Sequence, residues 1–317
     1  MRRVPVWSWL WFLLGVLYFL LPLYATLDFS LRMRRGSLSL DAYAAAFGDS
    51  DFFGRTFPVD ATYWNFLARD RTPRIDLGFV GAAFSFDDFT LAFKWGAGGV
   101  RFTPGTFMFS NIMAVFTILA TLLLVVPTAY WVHLRLPQAR PAIEFITLMP
   151  FVIPAIVLVF GMIKIYSRPS FLMPVALTNS HIGTNFLLLA GYVVLSLPYM
   201  YRAVDTGLRA MDVRTLTEAA QSLGASWPRI LWDVIFPNLR VALLSGSLLT
   251  FAIVVGELTL ANFLDRPAFG PYLFLLGQHR TYEPSALSIV SFALTWGAMV
   301  VIQWVSRGTQ GQVAGAH

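Results

Sequence analysis

The stretch EAAQSLGASWPRILWDVIFPN, Glu218–Asn238, is a polar segment containing glycine and proline between two long apolar runs. Thr215 precedes Glu218 by three residues, which is the spacing of a capping box and predicts a helix that begins at Thr215. Gly224 suits the left-handed position that ends a helix, and Pro228 suits the first turn of a second helix. The stretch is therefore predicted to fold as a helix, a glycine turn and a second helix.

The faces of these two helices suggest a docking surface. Ala219, Ala220 and Leu223 recur at helical spacing in the first helix, with Ser226 as the expected N-cap of the second. Small side chains beside a glycine allow the backbone of another protein to approach closely. The apolar stripe of the second helix consists of Ile230, Leu231, Val234 and Ile235, and Pro237 is expected to mark its end.

The composition places the chain among polytopic membrane proteins. Hydrophobic residues make up 57% of the 317 residues and charged residues only 13%, about half the share in soluble domains. The net charge is +6, but the 23 Lys and Arg form no long basic block, so no nucleic-acid partner is expected. Because the chain has no cysteine, disulfides, thiol nucleophiles and cysteine-ligated metals are excluded.

Six apolar runs are long enough to cross a bilayer as helices. The first is too long and too aromatic for a cleaved signal peptide, so it is expected to be retained. The predicted spans are Trp7–Leu27, Phe107–Val132, Ala142–Tyr166, Thr184–Tyr201, Val241–Leu264 and Ser285–Val305.

Basic residues near the span ends predict the orientation. Those expected in the cytoplasm, from Arg2 and Arg3 through Arg209 and Arg229 to Arg307, outnumber those in the short outside loops. Both termini and Glu218–Asn238 are therefore predicted to face the cytoplasm, in a multi-pass protein of the bacterial cytoplasmic (inner) membrane with lipid around its spans.

The predicted organisation has four parts: a first transmembrane helix (1–27), an extracytoplasmic loop or cap (28–106), a permease-like core of five spans (107–305) and a cytoplasmic tail (306–317). Within the cap, apolar and polar residues alternate on both sides of Asp87-Asp88, as in a hairpin. The cap could shelter the spans or contact a soluble partner, and the sequence leaves both open.

Prolines interrupt three consecutive spans. Each removes a backbone donor and is expected to kink its helix, which favours a bundle that encloses a pathway. These residues are Pro127, Pro150, Pro154 and Pro198.

The spacing in Glu218–Asn238 resembles the EAA loop of the permease subunits of ATP-binding-cassette importers. The pattern is Glu-Ala-Ala, three residues, Gly, nine residues, an aliphatic residue, one residue, an apolar residue and Pro, and it lies between the fourth and fifth spans. We refer to residues 215–238 as the EAA loop. The residues that this resemblance assigns to coupling are Glu218, Ala219, Ala220, Leu223, Gly224 and Pro237.

The resemblance implies a type I importer permease, an all-α polytopic membrane protein of six transmembrane helices with a small extracytoplasmic insertion after helix 1. In such importers two permease subunits pair, each rests on an ABC ATPase subunit, and an extracytoplasmic solute-binding protein delivers the solute. The chain has no GxxxxGK[ST] loop, so it is expected to bind no cofactor itself, and ATP and Mg²⁺ are expected on the partner ATPase.

Within that family the chain looks most like the spermidine/putrescine permeases. Relatives that carry iron(III), phosphonate, thiosulfate or sulfate, or sugar stay open as alternatives. Candidate residues of the substrate path are Glu257, Asn262 and Tyr199. Glu257 lies in the fifth predicted span, where burial of an acid is expensive, and either a substrate contact or a structural role would explain it.

Other function classes fit less well. The four histidines, at positions 133, 181, 279 and 317, are far apart in sequence, so no metal site is expected. No nucleophile motif is present, and the spans offer few polar groups beyond Glu144 and Glu257. The sequence thus favours a transporter subunit over an integral-membrane enzyme or a channel.

Overall fold

A computed structural model of the chain describes residues 6–34, 37–69, 74–77, 81–95, 98–169 and 176–307. The predicted cytoplasmic Arg2 and Arg3, and most of the predicted tail, lie outside the described residues. The helices are α1 (Val6–Ser30), α2 (Asp41–Gly48), α3 (Ser50–Phe53), α4 (Ala61–Arg69), α5 (Thr106–Arg135), α6 (Arg140–Val152), α7 (Ala155–Tyr166), α8 (His181–Arg209), α9 (Val213–Ser222), α10 (Trp227–Arg229), α11 (Phe236–Gly256), α12 (Thr259–Phe263), α13 (Phe269–His279) and α14 (Glu283–Arg307). The strands are β1 (Gly54–Val59), β2 (Arg74–Leu77), β3 (Ala82–Ser85), β4 (Leu91–Trp95) and β5 (Gly98–Pro104).

The expected helical membrane fold is confirmed. Within the described residues, four helices are long and apolar enough to cross a bilayer: Trp9–Ser30 of α1, α5, α8 and the continuous helix Trp227–Gly256. The bent pair α6 and α7 makes a fifth if it counts as one span. The last predicted span falls within α14, which has 25 residues, and the count of six spans stays a prediction.

The third predicted span, Ala142–Tyr166, is divided in two. Helices α6 and α7 meet at a bend of 100° at Ile153 and Pro154. Ile153 is extended (ψ 115°), because the ring of a following proline disfavours the helical conformation of the residue before it. The other three prolines lie inside α5, α6 and α8 without ending those helices.

The cap contains an antiparallel sheet of five strands in the order β1-β5-β4-β3-β2. Strands β3 and β4 pair on either side of Asp87-Asp88, so the predicted hairpin is confirmed. The insertion after the first helix is therefore more than a loop, because it combines this sheet with the short helices α2, α3 and α4.

Polar contacts join the hairpin tip, Phe86–Phe89, to the membrane part of the chain. The Asn185 amide of α8 donates to the carbonyls of Phe86 (3.0 Å) and Asp87 (2.6 Å). Arg266, from the loop between α12 and α13, donates to the carbonyl of Asp87 (3.0 Å) and to the carboxylate of Asp88 (2.8 Å). The tip thus binds two elements that are far apart in sequence.

The same tip inserts an aromatic ring into the core. Phe89 adopts a left-handed conformation (φ 52°) and is buried. Its ring lies 5.3 Å from that of Phe109 and 5.8 Å from that of Phe116, both on α5. Because α5 begins directly after β5, the sheet is also tied to this helix through the chain.

Two buried clusters lie toward opposite ends of α5. The cluster at the cap end includes Phe89, Phe109 and Leu188, and the cluster at the other end includes Tyr130 and Ile230. The cap and the EAA loop therefore lie at opposite ends of a helix long enough to cross the membrane.

Substitution of Arg266 tests whether its contacts with the hairpin tip anchor the cap to the membrane part of the chain. Arg266 is 4% exposed, and Arg266→Gln would remove the charged hydrogen bond to the Asp88 carboxylate and one of the two side-chain donors to the Asp87 carbonyl. We expect a loss of about 1–3 kcal/mol of stability and faster proteolysis of the cap, measured by thermal unfolding and limited digestion of the full chain in detergent.

Arg32→Gln is the matched control, because its ion pair with Asp28 lies on the surface and is expected to contribute little. Equal protease resistance and melting temperature in Arg266→Gln and wild type would contradict the anchoring role.

Candidate functional site

Helix α9, the first half of the EAA loop, begins earlier than the sequence predicts. Asp212 is its N-cap: the Asp212 carboxylate accepts from the Thr215 amide (3.1 Å) and from the Thr215 hydroxyl (2.7 Å). These bonds to the charged form lower the pKa of the Asp212 carboxyl. The predicted capping box is therefore wrong, and Glu218 forms an ion pair with Arg214 (2.9 Å) instead of reaching back to Thr215.

The turn after α9 follows the prediction. Gly224 has φ +78°, which is the left-handed conformation expected at this position. The Gly224 amide donates to the carbonyl of Gln221 (2.8 Å), and the Ala225 amide donates to that of Ala220 (3.0 Å). This pair of bonds is the Schellman motif, which satisfies the last carbonyls of the helix.

The second half of the EAA loop continues into a spanning helix. Residues Trp227–Arg229 form α10, Ile230–Ile235 form a π-helical turn, and α11 follows without a break. Pro237 lies in the first turn of α11, so the prediction that it ends the second helix is wrong. A proline ring clashes with the carbonyl four residues earlier in a regular α-helix, and the wider π turn ahead of Pro237 gives it room.

A buried contact braces the EAA loop against the membrane part. The hydroxyl of Thr217 in α9 lies 2.8 Å from the hydroxyl of Tyr130 in α5, and both residues are buried. The Tyr130 ring meets the Trp227 ring edge-on at 5.8 Å, and Arg135 lies 5.9 Å above the same Trp227 ring. The start of the second half of the loop is thereby held against the end of α5.

The predicted coupling residues divide between a surface and an inner side. Leu223 is 89% exposed beside the turn, although it is a large apolar side chain. Ala220 packs inward against the buried cluster that contains Tyr130 and Ile230. Glu218, Ala219 and Gly224 are exposed, and exposed Pro237 lies on the following helix. The structure therefore gathers Glu218–Gly224 on one helix and turn.

An ion-pair network lies between the start of α6 and the end of α8, and the sequence analysis does not predict it. Arg140 binds both carboxylate oxygens of Asp205 (2.8 and 3.0 Å) and also Glu144 (3.0 Å). Arg209 binds the same two acids, at 2.8 Å for Asp205 and 3.0 Å for Glu144. The network joins α6 to α8, and the acids lie 61 residues apart in the sequence, so only their i,i+4 partners gave a local signal.

Glu257 ends α11 instead of lying within a longer helix. Its carboxylate accepts from the backbone amides of Thr259 (2.6 Å), Leu260 (3.0 Å) and Ala261 (3.3 Å). These amides open α12 and would otherwise lack partners, so the carboxylate caps that helix. The predicted fifth span, Val241–Leu264, is thus interrupted at Glu257.

The three candidate path residues do not line one cavity. Asn262 lines a cavity of about 480 Å³ beneath the cap, together with Asp88, Asp265 and Arg266. Tyr199 lines another of about 710 Å³ toward the EAA side. Among the described residues, the walls of these two cavities do not include Glu257. No group of three or more potential metal ligands occurs in the described ranges.

Comparison with known proteins finds similarity to permease proteins of transport systems. The chain is 24% identical over 261 residues to the spermidine/putrescine transport system permease protein PotB of Escherichia coli, covering 76% of this chain and 87% of that protein. It is 31% identical over 124 residues to the PotC permease protein of Haemophilus influenzae, covering 38% and 48%.

A ferric transport system permease protein, FbpB of Actinobacillus pleuropneumoniae, is 30% identical over 159 residues, or 50% of this chain and 21% of that protein. Among solved structures, the MetNI methionine ABC transporter aligns with a TM-score of 0.46 and 16% identity, over 64% of this chain and 92% of that one.

The sequence profile of a family described as "binding-protein-dependent transport system inner membrane component" matches residues 125–309, more than half of the chain. The matched range contains the whole EAA loop, together with α6 to α14. The expected resemblance is confirmed, and this chain belongs to the family of inner-membrane components of binding-protein-dependent transport systems.

Proposed function

We propose that the chain is the permease subunit of an ATP-driven, binding-protein-dependent importer that couples to a separate ABC ATPase through the EAA loop. The exposed Leu223 beside the Gly224 turn, on a helix braced by Thr217, is the observation that carries this proposal. A projecting apolar side chain on a firmly held helix can enter a groove of another protein and transmit force to the spans.

The remaining parts of the machine follow from the same proposal. ATP and Mg²⁺ bind to the ATPase, a second homologous permease subunit completes the path, and an extracytoplasmic solute-binding protein delivers the solute to the cap side. Both termini and the EAA loop then face the cytoplasm. An integral-membrane enzyme or a channel does not require a surface that docks an ATPase, such as the one around Leu223, and these two functions are therefore disfavoured.

Spermidine or putrescine is the proposed substrate class. The PotB similarity extends over 76% of this chain, more than the family match covers, whereas the FbpB similarity covers 50% of this chain. Iron(III) is the second candidate because of that FbpB similarity. The ATPase activity of the purified complex distinguishes them: stimulation by a spermidine-loaded but not an iron-loaded binding protein is expected, and the reverse result would overturn the substrate assignment.

Leu223→Asp is the sharpest test of the docking surface. A charge in place of the exposed leucine would oppose burial in a groove, while the isolated chain keeps its stability because the residue makes few contacts. We expect at least a tenfold weaker association with the ATPase, as for interface residues that contribute more than about 1.4 kcal/mol, measured by copurification and by ATP hydrolysis.

Leu38→Asp provides the control, since Leu38 is 70% exposed on the cap side. Gly224→Val should weaken coupling as well, because a β-branched residue does not adopt φ +78° without strain. Normal coupled transport by Leu223→Asp would rule out this surface as the coupling site.

Glu257→Gln separates capping from substrate contact. The amide side chain keeps one acceptor and loses the negative charge, so we expect a stability loss of about 0.5–2 kcal/mol with the KM for uptake unchanged. Thermal unfolding and uptake kinetics measure the two effects. A raised KM without loss of stability would instead place Glu257 in contact with a cationic substrate, and Asn262→Ala is the comparison variant for the cavity beneath the cap.

A further inference from the structure

The cap sheet is strictly divided into two faces. Residues directly opposite each other in antiparallel strands point to the same face, so the strand register sorts the side chains. On one face, which we call the apolar face, the two central rows consist of eight apolar residues and a single threonine. Its first row is Ile75, Phe84, Leu91, Phe102 and Thr56, and its second row is Ala82, Phe93, Val100 and Pro58.

The opposite face carries every charged residue of the five described strands, and helix α4 lies on it. The Trp64 indole donates to the carbonyl of Gly98 (3.2 Å), Lys94 lies 5.6 Å over the Trp64 ring, and Arg101 lies 5.8 Å over that of Tyr63. The charged strand residues are Arg55, Arg74, Asp76, Lys94 and Arg101.

This arrangement is the reverse of a soluble α+β domain, in which a helix covers the apolar face of the sheet. Here the helix covers the charged face, and part of the apolar face stays exposed in the described part of the chain, although Ala82 is buried. Ile75 is 49% exposed, Phe93 43% and Leu91 36%. Contiguous apolar surface of this kind marks a contact with lipid or with another protein.

The hairpin tip sets the height of the apolar face relative to the membrane. Phe89 stacks on Phe116, ten residues after the start of α5 and therefore roughly 15 Å along it. The 30 residues of α5 extend about 45 Å, against a hydrocarbon core of about 30 Å. Even if the whole excess length projects on the cap side, Phe116 lies at the hydrocarbon boundary.

The apolar face is also continuous with exposed apolar surface on α5. Phe84 packs against Phe89 with ring centres 6.2 Å apart, and Phe89 leads to Phe116, which is 40% exposed beside Val115. Strand β4 is paired on both sides, by β3 and β5, so its backbone groups already have partners. This satisfies the requirement that a bilayer places on a strand at its surface.

We propose that the apolar face of the cap sheet lies on the bilayer, in the leaflet next to the cap, with Leu91 and Phe93 at the boundary of headgroups and acyl chains. Lipid is the occupant argued for here, because the face has no charge, begins at the hydrocarbon boundary and continues the exposed surface of a spanning helix. The cap then rests on the membrane through its sheet and presents α4 to the aqueous side.

Spin labels at single cysteines test this placement, and the chain has no native cysteine to interfere. Leu91→Cys and Phe93→Cys report on the apolar face. Lys94→Cys and Asp76→Cys are the matched controls on the charged face, with Lys94 next to Phe93 in the same strand. The full chain is placed in nanodiscs of phosphatidylethanolamine and phosphatidylglycerol, and collision rates with dissolved oxygen and with a nickel chelate are measured.

The expected result is a ratio of oxygen to nickel collision rates several times higher at positions 91 and 93 than at 94 and 76. Equal ratios on the two faces would overturn the proposal and indicate a face open to water, as a soluble partner would need. Labels at 91 and 93 that neither reagent reaches would also overturn it, because a protein would then cover the face. Should Phe93→Cys fail to fold, Ile75→Cys reports on the same face.

Discussion

The buried hydroxyl pair of Tyr130 and Thr217 joins the EAA loop to the part of the chain that crosses the membrane. Without it, only the chain connections and the apolar contacts of Val213 and Ala220 would hold α9, and the exposed Leu223 would be less firmly placed relative to the spans. The apolar residues that surround the pair, among them Val213 and Ile230, remove water from the contact and strengthen it. The geometry at this end of the molecule depends on that contact.

At the other end of α5 the hairpin tip attaches the cap to the membrane part of the chain. The Asn185 amide and the Arg266 side chain hold the backbone carbonyls of the hairpin tip, and the Phe89 ring inserts into the core; these two donors lie 99 and 179 residues from their acceptors in the sequence. Helix α5 thus has a specific attachment at each end, one to the cap and one to the EAA loop. A displacement of α5 along its length would be felt by both.

Local chemistry explains which features could be read from the sequence. The Gly224 turn and the β3–β4 hairpin are specified by residues within a few positions of each other, and both predictions are confirmed. The start of α9 was misplaced because Asp212 and Thr215 are both good caps three residues apart, and only packing decides between them. Pro154 breaks its helix whereas Pro150, four residues earlier, does not, because neighbouring elements settle where a chain bends. The Arg140–Asp205 pair and the two faces of the sheet depend on tertiary register, which a single sequence does not display.

The continuity of the second half of the EAA loop with α11 has a mechanical consequence. Because the π turn carries the helix past Pro237, residues Trp227–Gly256 form one rod of 30 residues, roughly 45 Å long. At its far end this helix ends at Glu257, whose carboxylate accepts hydrogen bonds from the first turn of α12. A tilt of about 10° around the Trp227 end would carry Glu257 sideways by about 8 Å, given the rise per residue of a helix. Such a rod has the geometry of a lever, in which a small rotation at the Trp227 end becomes a displacement of several ångströms at the Glu257 end.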